Sequence, residues 1–91
     1  MAMESRAVTT FFALMAEFNT ADIPLEKVCS KYFGLELKEA CRRASLQRLP
    51  VPAFRGGSQK SPWLISAADL AKHIDEQREA AVREWQKMNA A

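Results

Sequence analysis

The stretch RLPVPAFRGGSQKSPWLIS, Arg48 to Ser66, decides how the rest of the chain is read. Pro50 and Pro52 each remove a backbone donor and fix φ, so a helix arriving from the N-terminal side ends here and the chain continues extended. Ala53-Phe54-Arg55 and Trp63-Leu64-Ile65 then read as two short strands, joined by Gly56-Gly57-Ser58-Gln59-Lys60-Ser61-Pro62. The glycines are expected to supply the positive φ values of a hairpin turn. Arg48, Arg55 and Lys60 make the passage basic. It is either an ordinary hairpin with a solvated tip or one that presses a basic tip against something acidic.

What precedes it favours the second reading. Leu37, Ala40, Cys41 and Ala44 recur at i, i+3, i+4, i+7, the inner stripe of a helix from about Leu37 to Gln47. Its outer side carries Lys38, Glu39, Arg42, Arg43, Ser45 and, at the end, Gln47 or Arg48. A shorter helix before it, Leu25 to Phe33, turns Leu25, Val28, Cys29, Tyr32 and Phe33 inward. Pro24 suits its first turn, and Gly34 suits its left-handed end. Two helices joined by a glycine turn, the second with long polar arms, are the parts of a helix-turn-helix.

The outer elements are also helical. Val8, Phe11, Phe12, Leu14, Met15 and Phe18 predict a first helix over 8–18, with Thr9 or Thr10 as its cap and Asn19 to Asp22 as a loop. Ser66-Ala67-Ala68-Asp69 matches a capping box and opens a last helix over 67–89. Leu70, Ile74, Ala81, Trp85 and Met88 form its stripe; Asp75, Glu76, Arg78, Glu79, Arg83 and Glu84 lace its outer face as i,i+4 pairs. The expected fold class is mainly α with a small β-hairpin. Residues 1–91 form one winged helix-turn-helix domain: first helix 8–18, helix-turn-helix 24–48, wing 53–65, C-terminal helix 67–89.

Charge follows the same division. Residues 36–60 hold six basic and two acidic side chains, a net of +4, whereas the segments on either side each come to −1. Positive charge gathered on one helix and its wing is the footprint of a nucleic-acid face. An α-helix fits the major groove, and Arg and Lys neutralise phosphates. Lys38, Arg42 and Ser45 share one helical face flanked by Glu39 and Arg43, the candidates for reading bases or lining the groove. Arg55, Ser58, Gln59 and Lys60 stand at or near the wing tip, placed for phosphate or the minor groove; Arg48 either caps carbonyls or contacts phosphate.

Other chemistry finds little support. His73 is the sole histidine, and Cys29 and Cys41 form no CxxC, so Cys and His cannot assemble a four-ligand zinc site. Both cysteines read as small buried side chains, His73 as a surface residue, and Trp63 as the anchor of the wing. Nothing matches a nucleophile elbow or a phosphate-binding glycine loop, so no enzyme and no cofactor are expected. The apolar run Phe11 to Ala16 is cut by Glu17, far short of the ~18 residues of a membrane span. The expected setting is the cytoplasm.

The segments LMAEF, IPLEKVCSKYFGL, RLPVPAFR, SQKSPW and DLAKHID, spread from Leu14 to Glu76, resemble the pyocin activator protein PrtN family of bacterial transcription regulators. More loosely, the chain is similar to small excisionase and MerR-type winged helices. The resemblance implies a DNA-binding activator of bacteriocin or prophage gene clusters, produced when a DNA-damage-sensitive repressor is removed. It implies double-stranded promoter DNA as partner, RNA polymerase as a further one, and the Lys38–Arg48 helix and Arg55–Lys60 wing as the contacting elements. Two positions depart from the general pattern. Glu36 stands where a short N-cap is expected, and Arg43 stands where an apolar residue is usual, as in a rotated helix. The last helix's stripe exceeds what one small core covers; with Phe11, Phe12 and Phe18 it packs within the monomer or forms a homodimer interface. The readings weighed against an activator are a protein-interaction adaptor or antirepressor and an architectural, DNA-bending excisionase.

Overall fold

The computed structural model describes the backbone of residues 2–90 and the side chains of residues 8–90. Its elements are α1 (Ala2–Phe18), β1 (Asp22–Pro24), a 3-10 turn (Leu25–Lys27), α2 (Cys29–Phe33), α3 (Leu37–Ser45), β2 (Phe54–Arg55), β3 (Trp63–Ser66) and α4 (Ala67–Asn89). The expected class, mainly α with a small β-hairpin, is the one adopted. The hairpin gains a third strand, giving an antiparallel sheet of order β1-β3-β2.

That third strand corrects the reading of residues 19–27. Ile23 and Leu25 are both buried with Pro24 between them, a period of two rather than 3.6. Ile23 lies opposite Ile65, each with no exposed surface, and that pair draws the segment into the sheet. Pro24 is extended (φ −57°, ψ 132°) on an edge strand, where its missing N–H breaks no ladder. The second helix is correspondingly short, since Val28 (φ −126°, ψ −13°) separates the 3-10 turn from α2.

Three smaller expectations also change. Helix α1 begins at Ala2, so Thr9 and Thr10 are interior and cap nothing; the preceding Ala, Met, Glu and Arg residues are good helix formers and prolong it. Gly56 and Gly57 do not take positive φ, which among the described residues belongs to Gly34, Asn19 and Gln47. The 56–62 loop is long enough to close without a two-residue primed turn. Leu37 is not on the inner stripe of α3: it is 44% exposed, and that stripe is Ala40 and Ala44, both fully buried.

The ends of α2 and α3 place the helix pair. Gly34 (φ 64°) donates to the Ser30 carbonyl at 3.1 Å, and Leu35 N–H to the Cys29 carbonyl at 3.1 Å. At the end of α3, Gln47 (φ 53°) donates to Ala44 O at 3.0 Å and Arg48 N–H to Arg43 O at 2.8 Å, the two bonds of a Schellman motif. The alanine stripe brings α3 close to a core whose largest fully buried side chains are Ile23, Leu25, Val28, Ile65 and Leu70. Burying each such side chain stabilises by roughly 1.5–3 kcal/mol.

Helices α1 and α4 run antiparallel. Ala67 N–H donates to Ala21 O at 2.8 Å near the end of α1, and further out Thr10 Oγ1 donates to Asp75 Oδ1 at 2.8 Å. Asp75, expected on the outer face, is therefore buried at 5% exposure, because the helix phase that turns Leu70, Ala71 and Ile74 inward carries it in too. Arg78 stands 3.6 Å from the same oxygen, while Asp75 Oδ2 is buried without a hydrogen bond. Ser66 caps α4 as expected, its hydroxyl accepting from the amides of Ala68 (3.2 Å) and Asp69 (3.5 Å). From Ala80 to Ala90 every residue is exposed, so α4 projects from the body and stretches the molecule to 54 Å against 25 and 18 Å. Among the described residues no helix is long and apolar enough to cross a membrane.

Candidate nucleic-acid interface

The burial of Ala40 and Ala44 fixes the roll of α3, and the opposite side chains follow from helical geometry. Lys38, Arg42 and Ser45 all emerge to solvent, as the spacing predicts. Glu39 and Arg43 flank them and are half-buried. The Ser45 hydroxyl is taken up by the helix itself, donating to Arg42 O at 2.7 Å.

Glu39 organises the basic side chains around it. Arg42 donates through Nε to Oε2 at 2.8 Å and through Nη2 to Oε1 at 2.7 Å, a two-pronged pair along the helix. Arg43 adds a longer bond from Nε to Oε1 at 3.3 Å. The Arg42 bonds, reinforced by Arg43 against a smaller opposing effect of burial, lower the Glu39 pKa from 4.5 to about 2. The same pairing raises the Arg42 pKa further above its already high value. Arg43 uses its half-exposed position to reach this carboxylate, which accounts for a charged residue at a position expected to be apolar. Arg42, Arg43 and Arg48 together line one open notch at the C-terminal end of α3.

The hairpin stands beside this helix. Its tip and α3 form two walls of a cleft of about 280 Å³, with Leu37 and Cys41 on the helix side and Arg55, Gln59, Lys60 and Trp63 on the hairpin side. Arg55 does not reach outward from the tip. The cross-strand register pairs it with Trp63, and its guanidinium lies over the indole, 4.4 Å from the ring centroid. Its Nη1 donates to the Gln59 carbonyl, and its Nε is buried without a hydrogen-bond partner. Arg55 thus braces the loop against the strand, a role legible only once the strand register is known.

Ser58 is also occupied within the loop. Its Oγ accepts from Lys60 N–H at 3.2 Å, and its carbonyl accepts from Ser61 N–H at 3.0 Å. Gly57 packs near this turn, where a Cβ would meet Ser61 Oγ at 3.2 Å. Gln59 and Lys60 are left as the exposed side chains of the tip. Trp63 packs partly against the core, Cys29 is buried, and Cys41 is half-buried in the cleft wall. His73 is half-buried with its ring edge-on to Phe33 at 5.7 Å.

The arrangement offers Lys38, Arg42 and Arg43 along α3, Arg48 just past its end, and Lys60 on the hairpin beside it. Neither the search of curated proteins nor that of solved structures returns a match. Residues 10–81, from α1 through most of α4, match the family described as "Pyocin activator protein PrtN". The span takes in both helices of the pair, the hairpin and the braced tip, and the chain belongs to the pyocin activator protein PrtN family.

Proposed function

We propose that the chain is a winged helix-turn-helix protein that activates pyocin-type genes by binding their promoter DNA. Helix α3 enters the major groove, and the β2–β3 wing lies on the adjacent backbone or minor groove. The observation that carries this reading is the gathering of positive charge on neighbouring elements: Arg42, Arg43 and Arg48 line one notch at the end of α3, and the wing tip, which shares a separate cleft with α3, exposes Lys60. Family membership supports the activator role. In this reading Lys38 and Arg42 meet base edges, Arg43 and Arg48 meet phosphates from the notch, and Gln59 and Lys60 follow the backbone. Ser45 and Ser58 keep the helix and the tip in shape, as does Arg55.

The reading extends to a pair of protomers on DNA. The outer part of α4 exposes Val82 (48%), Trp85 (65%) and Met88 (78%), and α1 exposes Val8 (52%) and Phe12 (61%). Val82, Trp85 and Met88 follow one another at i, i+3, i+6 and continue the apolar stripe of α4 beyond the body. A second copy, which carries the same stripe, is the occupant of matching character, and its two-fold would set two α3 helices on a two-fold-related site.

The test is a salt titration of binding to a pyocin-type promoter duplex and to a scrambled one. Affinity is expected to fall steeply with salt for both duplexes and to favour the promoter throughout. The double substitution Arg42→Glu, Arg43→Glu is expected to abolish promoter protection with the fold intact. Tight binding to an acidic protein with no duplex binding even at low salt would refute the proposal.

A further inference from the structure

Glu39 is the one acidic side chain on the exposed face of α3, on the surface that the proposed function turns toward a polyanion. Its geometry gives it a role. A guanidinium carries five N–H donors in a planar fork. The two bonds to Glu39 use Nε–H and one hydrogen of Nη2, the side edge of the Arg42 group. The end edge, both hydrogens of Nη1 and the second of Nη2, is left over on a side chain that is 60% exposed. That edge presents two parallel donors, the pattern that matches the O6 and N7 acceptors of guanine in the major groove.

Resting on the DNA-binding reading above, we propose that Glu39 is a positioning residue that presents Arg42 to a guanine. The carboxylate holds the long side chain in one orientation before DNA arrives, and rotamer freedom that a lone arginine would lose on binding is already lost. The same occupancy argues against Glu39 reading cytosine itself. Oε2 is taken by Arg42 Nε and Oε1 by Arg42 Nη2 and Arg43 Nε, so a cytosine amino group would have to displace a bond already made. Arg43 has no such two-pronged hold and stays outside the base-reading role.

Selection from a randomised duplex library with the full chain tests this. The unsubstituted protein should select a motif with one strongly preferred guanine per protomer. Arg42→Lys, which keeps the charge but not the fork, should lose that preference by roughly ten- to a hundredfold, with other positions and the salt slope unchanged. Glu39→Gln should weaken the same preference several-fold without weakening binding to scrambled DNA, since it removes a negative charge from the interface. Circular dichroism checks that both variants fold. If Glu39→Gln leaves the guanine preference intact, or changes a cytosine position instead, the positioning role is refuted while DNA binding stands. Selection of a motif without guanine, or binding with no sequence preference, refutes it equally. No duplex binding at all by the unsubstituted protein would instead overturn the DNA-binding reading beneath it.

Discussion

Replacing Thr10 by Val changes the shape of the α1–α4 contact very little and its chemistry a great deal. The hydroxyl donates at 2.8 Å to a carboxylate only 5% exposed, whose other oxygen already lacks a hydrogen bond. Arg78, 3.6 Å from the same oxygen and itself 60% exposed, is too well solvated to compensate fully. Leaving a buried acceptor unsatisfied costs about 1–3 kcal/mol, at the higher end when it is charged. Thr10→Val should therefore destabilise by about 2 kcal/mol, which in a domain of this size lowers Tm by roughly 8–16 °C. Asp75→Leu alone removes the carboxylate and leaves Thr10, whose hydroxyl can turn to a backbone carbonyl of its own helix. The double variant, apolar on both sides, should recover most of the loss, because exchanging both partners for groups of similar shape is close to neutral. Urea denaturation of the four proteins gives the coupling directly, expected at about 1–3 kcal/mol. A Thr10→Val cost below about 0.5 kcal/mol, or purely additive single effects, would refute the claim that this bond ties α1 to α4.

Other positions give simpler outcomes. Gly34→Ala should destabilise by about 1–2 kcal/mol in thermal melts, and Gly34→Asn by less, because a Cβ there meets nothing within 4 Å and the cost is that of φ +64° alone. Ala44→Leu should cost about 1–3 kcal/mol by overpacking the contact between α3 and the core, read by chemical denaturation. The Glu39 carboxyl should titrate near 2 by NMR in the folded protein and move up toward 4.5 in Arg42→Ala. Since its folded pKa lies below its unfolded one, the stabilisation from this pair is full above about 4.5 and is lost as pH falls through 2; Glu39→Gln removes that dependence. If two copies pair through α4 as proposed, Trp85→Ala should shift sedimentation toward the monomer and remove the concentration dependence of Tm.

Much of this molecule could be read from residue patterns. Proline pairs and a glycine turn bounded α3 and the hairpin, and a serine before an apolar stripe marked the start of α4, because these signals act over a few neighbours. The strand β1 was not legible in that way. Its pattern, Ile23 and Leu25 around a proline, is short enough to pass as the first turn of a helix, and only Ile65, far along the chain, selects the extended form. Asp75 shows the same limit: nothing nearby in sequence signals that Thr10 will meet it. At the candidate interface the helix face was legible from spacing. What each side chain does there was not: Arg55 against Trp63 depends on strand register, and Arg42 on Glu39 depends on rotamers within one turn.

Ser66 is at once the last residue of β3 and the cap of α4, and the next amide, Ala67 N–H, is bound to the carbonyl of Ala21, in the connection between α1 and β1. No linker lies between the hairpin and the projecting helix, so rotation of one is rotation of the other. The hairpin and the projecting helix are the two arms of a caliper joined at Ser66, and if two copies join at their projecting helices, this direct junction narrows the range of gaps between their hairpins. Two glycines inserted after Ser66 would turn that caliper into a pair of tethered jaws, tolerant of sites at several spacings.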